Sequence, residues 1–199
     1  MQIQNSHDYT SAPFEITAQD LAIIFDQLNL GFRRQMWIVN DIWENNRWIL
    51  PSRYRGKNKK KKYIEDILYN VDYLYQKEEV DESIDAIKKS AEELGYNVNT
   101  DRLMDDYYGI SEFFKLLWIQ IKYINQSGYS RAKIRTILDK YHYKRRSEKF
   151  NDYFEECLYF YKMIPTVKGE ECNVRTVPID TMITFRLQDR RRKRVSGAK

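Results

Sequence analysis

The chain has 199 residues and a formal net charge of +5, with 42% hydrophobic and 15% aromatic side chains, enough to build one domain or two small ones and to exclude a wholly disordered chain. Two cysteines and two histidines exclude a disulfide framework and a histidine-rich metal centre, and no run is apolar for the length of a membrane span. The basic excess permits nucleic acid or an acidic partner without demanding either, so the distribution of charge carries more information than its sum.

Residues 1–16 read as a polar, flexible arm that lacks the basic and apolar regions of a signal peptide. Together with the default of reduced thiols for Cys157 and Cys172, this points to a cytoplasmic protein without membrane contact. Thr17 followed by Asp20 is a capping-box-like start, and Leu21, Ile24, Phe25 and Leu28 mark an apolar helix face. Gly31 divides this helix from a second, bulky apolar surface of Phe32, Met36, Trp37, Val39, Trp43 and Trp48, which Pro51 ends. Such a surface is either core or, with Trp37 and Trp43 as anchors, a contact for a protein partner or a second copy in a homodimer.

Residues 52–62 are predicted as an exposed loop with Tyr54 as the one apolar anchor and seven cations: Arg53, Arg55, Lys57, Lys59, Lys60, Lys61 and Lys62. A loop of this kind neutralises phosphates and offers one stacking ring. The plainer alternative is a solvated loop lying near the acidic segment that follows. Ile64, Ile67, Leu68, Val71, Leu74 and Tyr75 predict a helix from Tyr63 to Gln76, and a weaker pattern predicts another from Val80 to Leu94, closed by Gly95. Residues 17–98 are thus expected to form a helical N-terminal lobe, with a boundary in the polar stretch from Asn97 to Gly109.

The C-terminal lobe, residues 99–187, is expected to begin with a helix from Ser111 to Gln126 that buries Phe114, Leu117, Trp118, Ile121 and Ile124. Ser130 is expected to cap a second helix to Tyr141 with Ile134, Ile137, Leu138 and Tyr141 as its apolar stripe, and Ser147 a third to Met163 with Phe150, Phe154, Cys157, Leu158 and Tyr161 on its core face and Pro165 as the stop. Beyond it the β-branched and aromatic run through Val174, Thr176, Val177, Ile179, Thr181, Ile183, Thr184 and Phe185 predicts a hairpin turning at Lys168-Gly169-Glu170, with Pro178 at an edge or bulge. The fold class expected is mainly α, a helical lobe followed by a three-helix unit that ends in a small β-hairpin, in the order of a winged helix.

That order puts the third helix in a DNA major groove, with Lys144, Arg145, Arg146, Lys149 and Asn151 as contacts. Glu148, Asp152, Glu155 and Glu156 on the same helix oppose the reading if they share its exposed face, and the alternative is a plain bundle with solvated charges. A basic tail over 188–199, with Arg190, Arg191, Arg192, Lys193 and Arg194, would add affinity without reading sequence. The leading expectation is therefore a non-enzymatic nucleic-acid binder, for DNA before RNA, such as a regulator or accessory factor of a phage, plasmid or other mobile element.

Motifs for chemistry are sparse. There is no phosphate-cradling glycine loop, serine elbow or cysteine pair at metal spacing, so no cofactor or metal is expected; Asp105 and Asp106 with Glu112 are clustered carboxylates of the kind that commonly just precede a helix. Arg135 and His142 stand seven apart, which on a continuous helix brings both to one face. This pair resembles the motif of HEPN-type ribonucleases, with Thr136 in place of the residue that usually follows the arginine. The resemblance implies an alternative in which Arg135 and His142 act on RNA.

Overall fold

A computed structural model describes residues 14–72, 110–141 and 143–188. The predicted helix from Val80 to Leu94, the boundary at Asn97 to Gly109, the Asp105-Asp106 pair, His142 and the arginine run at 190–194 lie outside the described residues. The chain divides into two compact units, residues 1–106 and 107–199.

In the first unit α1 spans Ala18–Gln27. Its start is the expected capping box: the Thr17 amide donates to Asp20 Oδ2 at 2.7 Å and the Asp20 amide to Thr17 Oγ1 at 3.1 Å. Leu21, Ile24 and Phe25 are buried on one face. The chain then reverses through Asn29, at φ +48°, and the Leu30 amide donates back to the Phe25 carbonyl, so the last turn is closed by a left-handed residue. Gly31 caps α2, Phe32–Asn45, which buries Gln35, Ile38, Val39, Ile42 and Trp43. Those positions recur every three or four residues and make one stripe. Two short 3₁₀ turns, Arg47–Ile49 and Ser52–Tyr54, lead to α3 over 60–72.

The expected loop is therefore shorter than its charge suggested. Lys60, Lys61 and Lys62 belong to the first turn of α3, because the apolar anchors Tyr63 and Ile67 behind them are both fully buried. Tyr63 packs between Trp43, with ring centroids 5.7 Å apart, and Tyr54, at 5.3 Å.

The second unit opens with α4, Ile110–Ile119, continued by a π-helical turn, Gln120–Ile124. Phe114 sits at its centre, meeting Phe154 edge-on at 4.9 Å and Phe185 at 6.4 Å. Strand β1, Tyr129–Lys133, follows directly, then α5, Ile134–Lys140, α6, Glu148–Phe160, and the strands β2, Met163–Val167, β3, Glu170–Glu171, and β4, Met182–Leu187. All pairings are antiparallel in the order β1-β4-β2-β3. The three expected helices and the hairpin are present, and β1 and β4 enlarge the hairpin to a small four-stranded antiparallel sheet, so the described residues are mainly helical with a small sheet.

Several boundaries differ from expectation. The segment from Tyr129 to Lys133 is a strand, not the first turn of a helix capped by Ser130; Ser130 instead lies opposite Phe185. Helix α6 stops at Phe160 rather than Met163 because Lys162 takes φ +53°, which turns the chain into β2. Pro165 sits inside β2, opposite Phe185. It is tolerated because its carbonyl still accepts from the Cys172 amide, while the β3 ladder begins only at Thr166, so no carbonyl is left waiting for the missing N–H. The tight turn falls where predicted, with Lys168 and Gly169 at φ +53° and +95°, a two-residue hairpin turn of the kind that follows strand twist. Residues 172–181 are loop rather than strand, and Pro178 lies in it. The chain leaves β4 at Gln188, whose amide donates to the Lys162 carbonyl at 2.7 Å. Among the described residues no helix is long and apolar enough to cross a membrane.

Candidate nucleic-acid interface

The start of α6 is built by Ser147, whose Oγ accepts from the Phe150 amide at 3.2 Å, satisfying one of the free donors of the first turn. Phe150, Phe154, Cys157 and Leu158 face inward, as the spacing predicted, and so Lys149 faces out. Lys144 and Arg145 are exposed just before the cap. None of these three has an acidic partner among the described residues. Two other predicted contacts are turned to different work. Arg146 is half-buried and donates to the carbonyls of Val174 and Val177, at 3.3 and 2.5 Å, pinning the loop after β3 to the entry of α6. Asn151 is buried and has no surface to offer.

The carboxylates that counted against this helix do share its outer face: Glu148, Asp152 and Glu156 are exposed and Glu155 is partly so. Arg175, from the loop between β3 and β4, answers two of them. Its Nε and Nη2 donate to the two Glu155 oxygens at 2.8 and 2.7 Å, and Nη2 also reaches Asp152. These hydrogen bonds, Glu155 first and Asp152 second, raise the Arg175 guanidinium further above its ordinary range. A parallel clamp joins Arg135 to Asp180 through two hydrogen bonds, which hold the Asp180 carboxyl below the usual range. Sequence reasoning missed both pairs, which join residues 20 to 45 positions apart.

Arg135 is thus occupied, and α5 ends at Lys140, so the continuous helix assumed for Arg135 and His142 stops short of the histidine. Cys157 is buried, and burial pushes its thiol up, with the nearby Glu156 adding to the rise; it is core, as predicted, and unsuited to act as a nucleophile.

The basic run of the first unit is largely paired. Arg55 spans Glu15, at 2.6 Å, and the carbonyls of Leu50 and Trp48. Lys60 meets Glu44 at 3.3 Å, Lys61 meets Glu65 at 3.7 Å and Lys62 meets Asp66 at 3.2 Å. Arg53 lies over the Tyr54 ring, 4.7 Å from its centroid, and that ring is buried rather than open for stacking. Lys57 and Lys59 are exposed. The two tryptophans separate cleanly: Trp43 is 4% exposed against Tyr63, a core residue that cannot meet a partner, while Trp37 is 55% and Phe32 64% exposed.

One basic surface has no counterpart in the sequence reading. In β1 the side chains of Tyr129, Arg131 and Lys133 alternate with Ser130 and Ala132 and project to the face away from the buried Ile183 and Phe185. Arg186 pairs across from Tyr129 on the same face, and the guanidinium carbons of Arg131 and Arg186 lie 5.0 and 5.4 Å from the Tyr129 ring centroid. Compared with protein families, with curated proteins and with solved structures, the chain matches none.

Proposed function

We propose that this chain is a DNA-binding protein whose second unit works as a winged helix, with the N-terminal turn of α6 meeting the duplex. The observation that carries the reading is the element order of helix, strand, two helices, the β2–β3 hairpin and a last strand, with β4 lying between β1 and β2. In that arrangement the third helix enters the major groove and its first residues reach base edges. Lys144, Arg145 and Lys149 surround that end without acidic partners, and Arg175 neutralises two carboxylates further along. Duplex DNA is favoured over duplex RNA because the A-form major groove is too deep and narrow to admit a helix.

The test is anisotropy of a labelled DNA duplex over a salt series. Binding should weaken steeply with salt, and replacing Lys144, Arg145 and Lys149 together by Ala should cost at least about tenfold and flatten the slope by about 2.7 in log–log terms if all three hold phosphates. An unchanged affinity in that variant, or no binding of the intact protein at low salt, would sink the proposal.

A second reading rests on Phe32 and Trp37, large aromatic side chains exposed on one stretch of α2. Residues of this type at such exposure anchor protein interfaces, so this surface captures a partner or a second copy. Trp37→Ala and Phe32→Ala should abolish self-association or partner capture measured by light scattering or co-purification while leaving DNA affinity unchanged. Retained association in both variants would remove this reading.

A further inference from the structure

We infer that the outward face of the sheet in the second unit, centred on Tyr129, is a surface for single-stranded DNA, separate from the α6 contact proposed above and independent of it. Antiparallel pairing sets Tyr129 beside Arg186, Arg131 beside Thr184 and Lys133 beside Met182, so three cations and one ring share two adjacent strands. Ile164 of β2 extends the face, whereas Thr166 in the neighbouring row is buried. Glu171, the carboxylate in the Arg131 row, pairs with Thr166 on β3, at the opposite edge and about 14 Å from Arg131 by three strand spacings, while Asp180, held by Arg135, also feels the charge of Lys133.

Both guanidiniums lie against the Tyr129 ring rather than against an acid. A ring contact leaves the full charge and the N–H donors available, and it lays down flat groups on which a base can stack. Phosphates would meet Arg131, Lys133 and Arg186. An unpaired strand fits better than a duplex because its bases are free to turn onto the ring. The face offers little that reads a 2′-hydroxyl: the Thr166 hydroxyl is already bonded to the Thr184 carbonyl at 3.2 Å. The occupant is therefore assigned as DNA.

The experiment uses the whole chain with labelled oligothymidine, oligouridine and duplex DNA in a salt series. Arg131→Gln with Arg186→Gln should weaken oligothymidine binding about tenfold and flatten its salt slope by about 1.4, the value for two phosphate contacts on a single strand. Tyr129→Leu should cost about tenfold in affinity with its slope unchanged, and Tyr129→Phe should restore it, because stacking needs the ring and not the hydroxyl. Melting temperatures confirm that each variant folds. The Lys144, Arg145 and Lys149 variant should keep oligothymidine affinity while losing duplex affinity, so the two surfaces fail separately. Unchanged oligothymidine affinity in the sheet variants, equal losses on duplex and single strand, or tighter binding of oligouridine than of oligothymidine would each overturn the assignment.

Discussion

At the scale of single residues the described part of the first unit carries a polar atom out of place. The Tyr63 hydroxyl is fully buried and has no hydrogen-bond partner among the described residues, whereas its neighbour Tyr54 donates to Asp66 at 2.6 Å. An unsatisfied buried hydroxyl costs about 1–3 kcal/mol, so Tyr63→Phe should be neutral or stabilising, seen as an equal or higher melting temperature. Burial first, and then the hydrogen bond to Asp66, push the Tyr54 phenol from 10.0 up to about 12, and burial raises Tyr63 as well. Above pH 10 an unfolded chain gives up these protons while the folded protein keeps them. The folded state then holds more protons, and stability must fall as pH rises from about 10 to about 12. Denaturation midpoints measured across that window should decline, with the decline reduced in Tyr63→Phe. Arg175 offers a charge test of the opposite kind. Arg175→Gln frees Asp152 and Glu155 on the outer face of α6, and duplex affinity should drop several-fold although Arg175 itself is assigned no phosphate; an unchanged affinity would show that the face lies away from DNA.

At the scale of elements, what could be read from sequence was whatever is set locally. The Thr17–Asp20 box, the Ser147 cap, the break before Gly31 and the Lys168-Gly169 turn each lie within four residues of the partner that defines them, and each falls where the residue types put it. The stripe Ile134, Ile137, Leu138 and Tyr141 was legible too, since all four are buried. Strand β1 was not. Its inward residues, Ser130 and Ala132, are too small and polar to register as an apolar alternation, and its partner β4 lies some fifty residues on. The same non-locality hid the Tyr129 face, which exists only once two distant strands are side by side. Removing a locally written signal should have a local cost: Ser147→Ala should destabilise the second unit by about 1 kcal/mol, checked by chemical denaturation, and weaken duplex binding by loosening the turn that carries Lys149.

For the molecule as a whole, the net charge of +5 is spread very unevenly in its effect. The densest run of lysines is also the best answered, since Lys60, Lys61 and Lys62 each stand within 4 Å of a carboxylate, while Lys144, Arg145 and Lys149 around α6, and Arg131 and Arg186 on the sheet, form no ion pair among the described residues. Exposed pairs contribute little stability, but they do cancel field. Replacing Lys60, Lys61 and Lys62 together by Gln should therefore change duplex affinity less than replacing Lys144, Arg145 and Lys149, even though each variant removes three charges. Equal losses would mean that only net charge matters and that no surface is privileged.

The bond from the Gln188 amide to the Lys162 carbonyl has a further consequence, one of avidity. It anchors the chain where β4 ends, so that Arg190 follows Arg186 by four residues, about 13 Å of backbone at full extension. If the sheet face binds a single strand as proposed, a strand held at Arg186 would already be at high local concentration for the arginine run, and a second contact there would form without a second diffusional encounter. Weak cation sites joined over so short a tether would act as one site of multiplied affinity, and a break in the chain between Gln188 and Arg190 should divide that affinity.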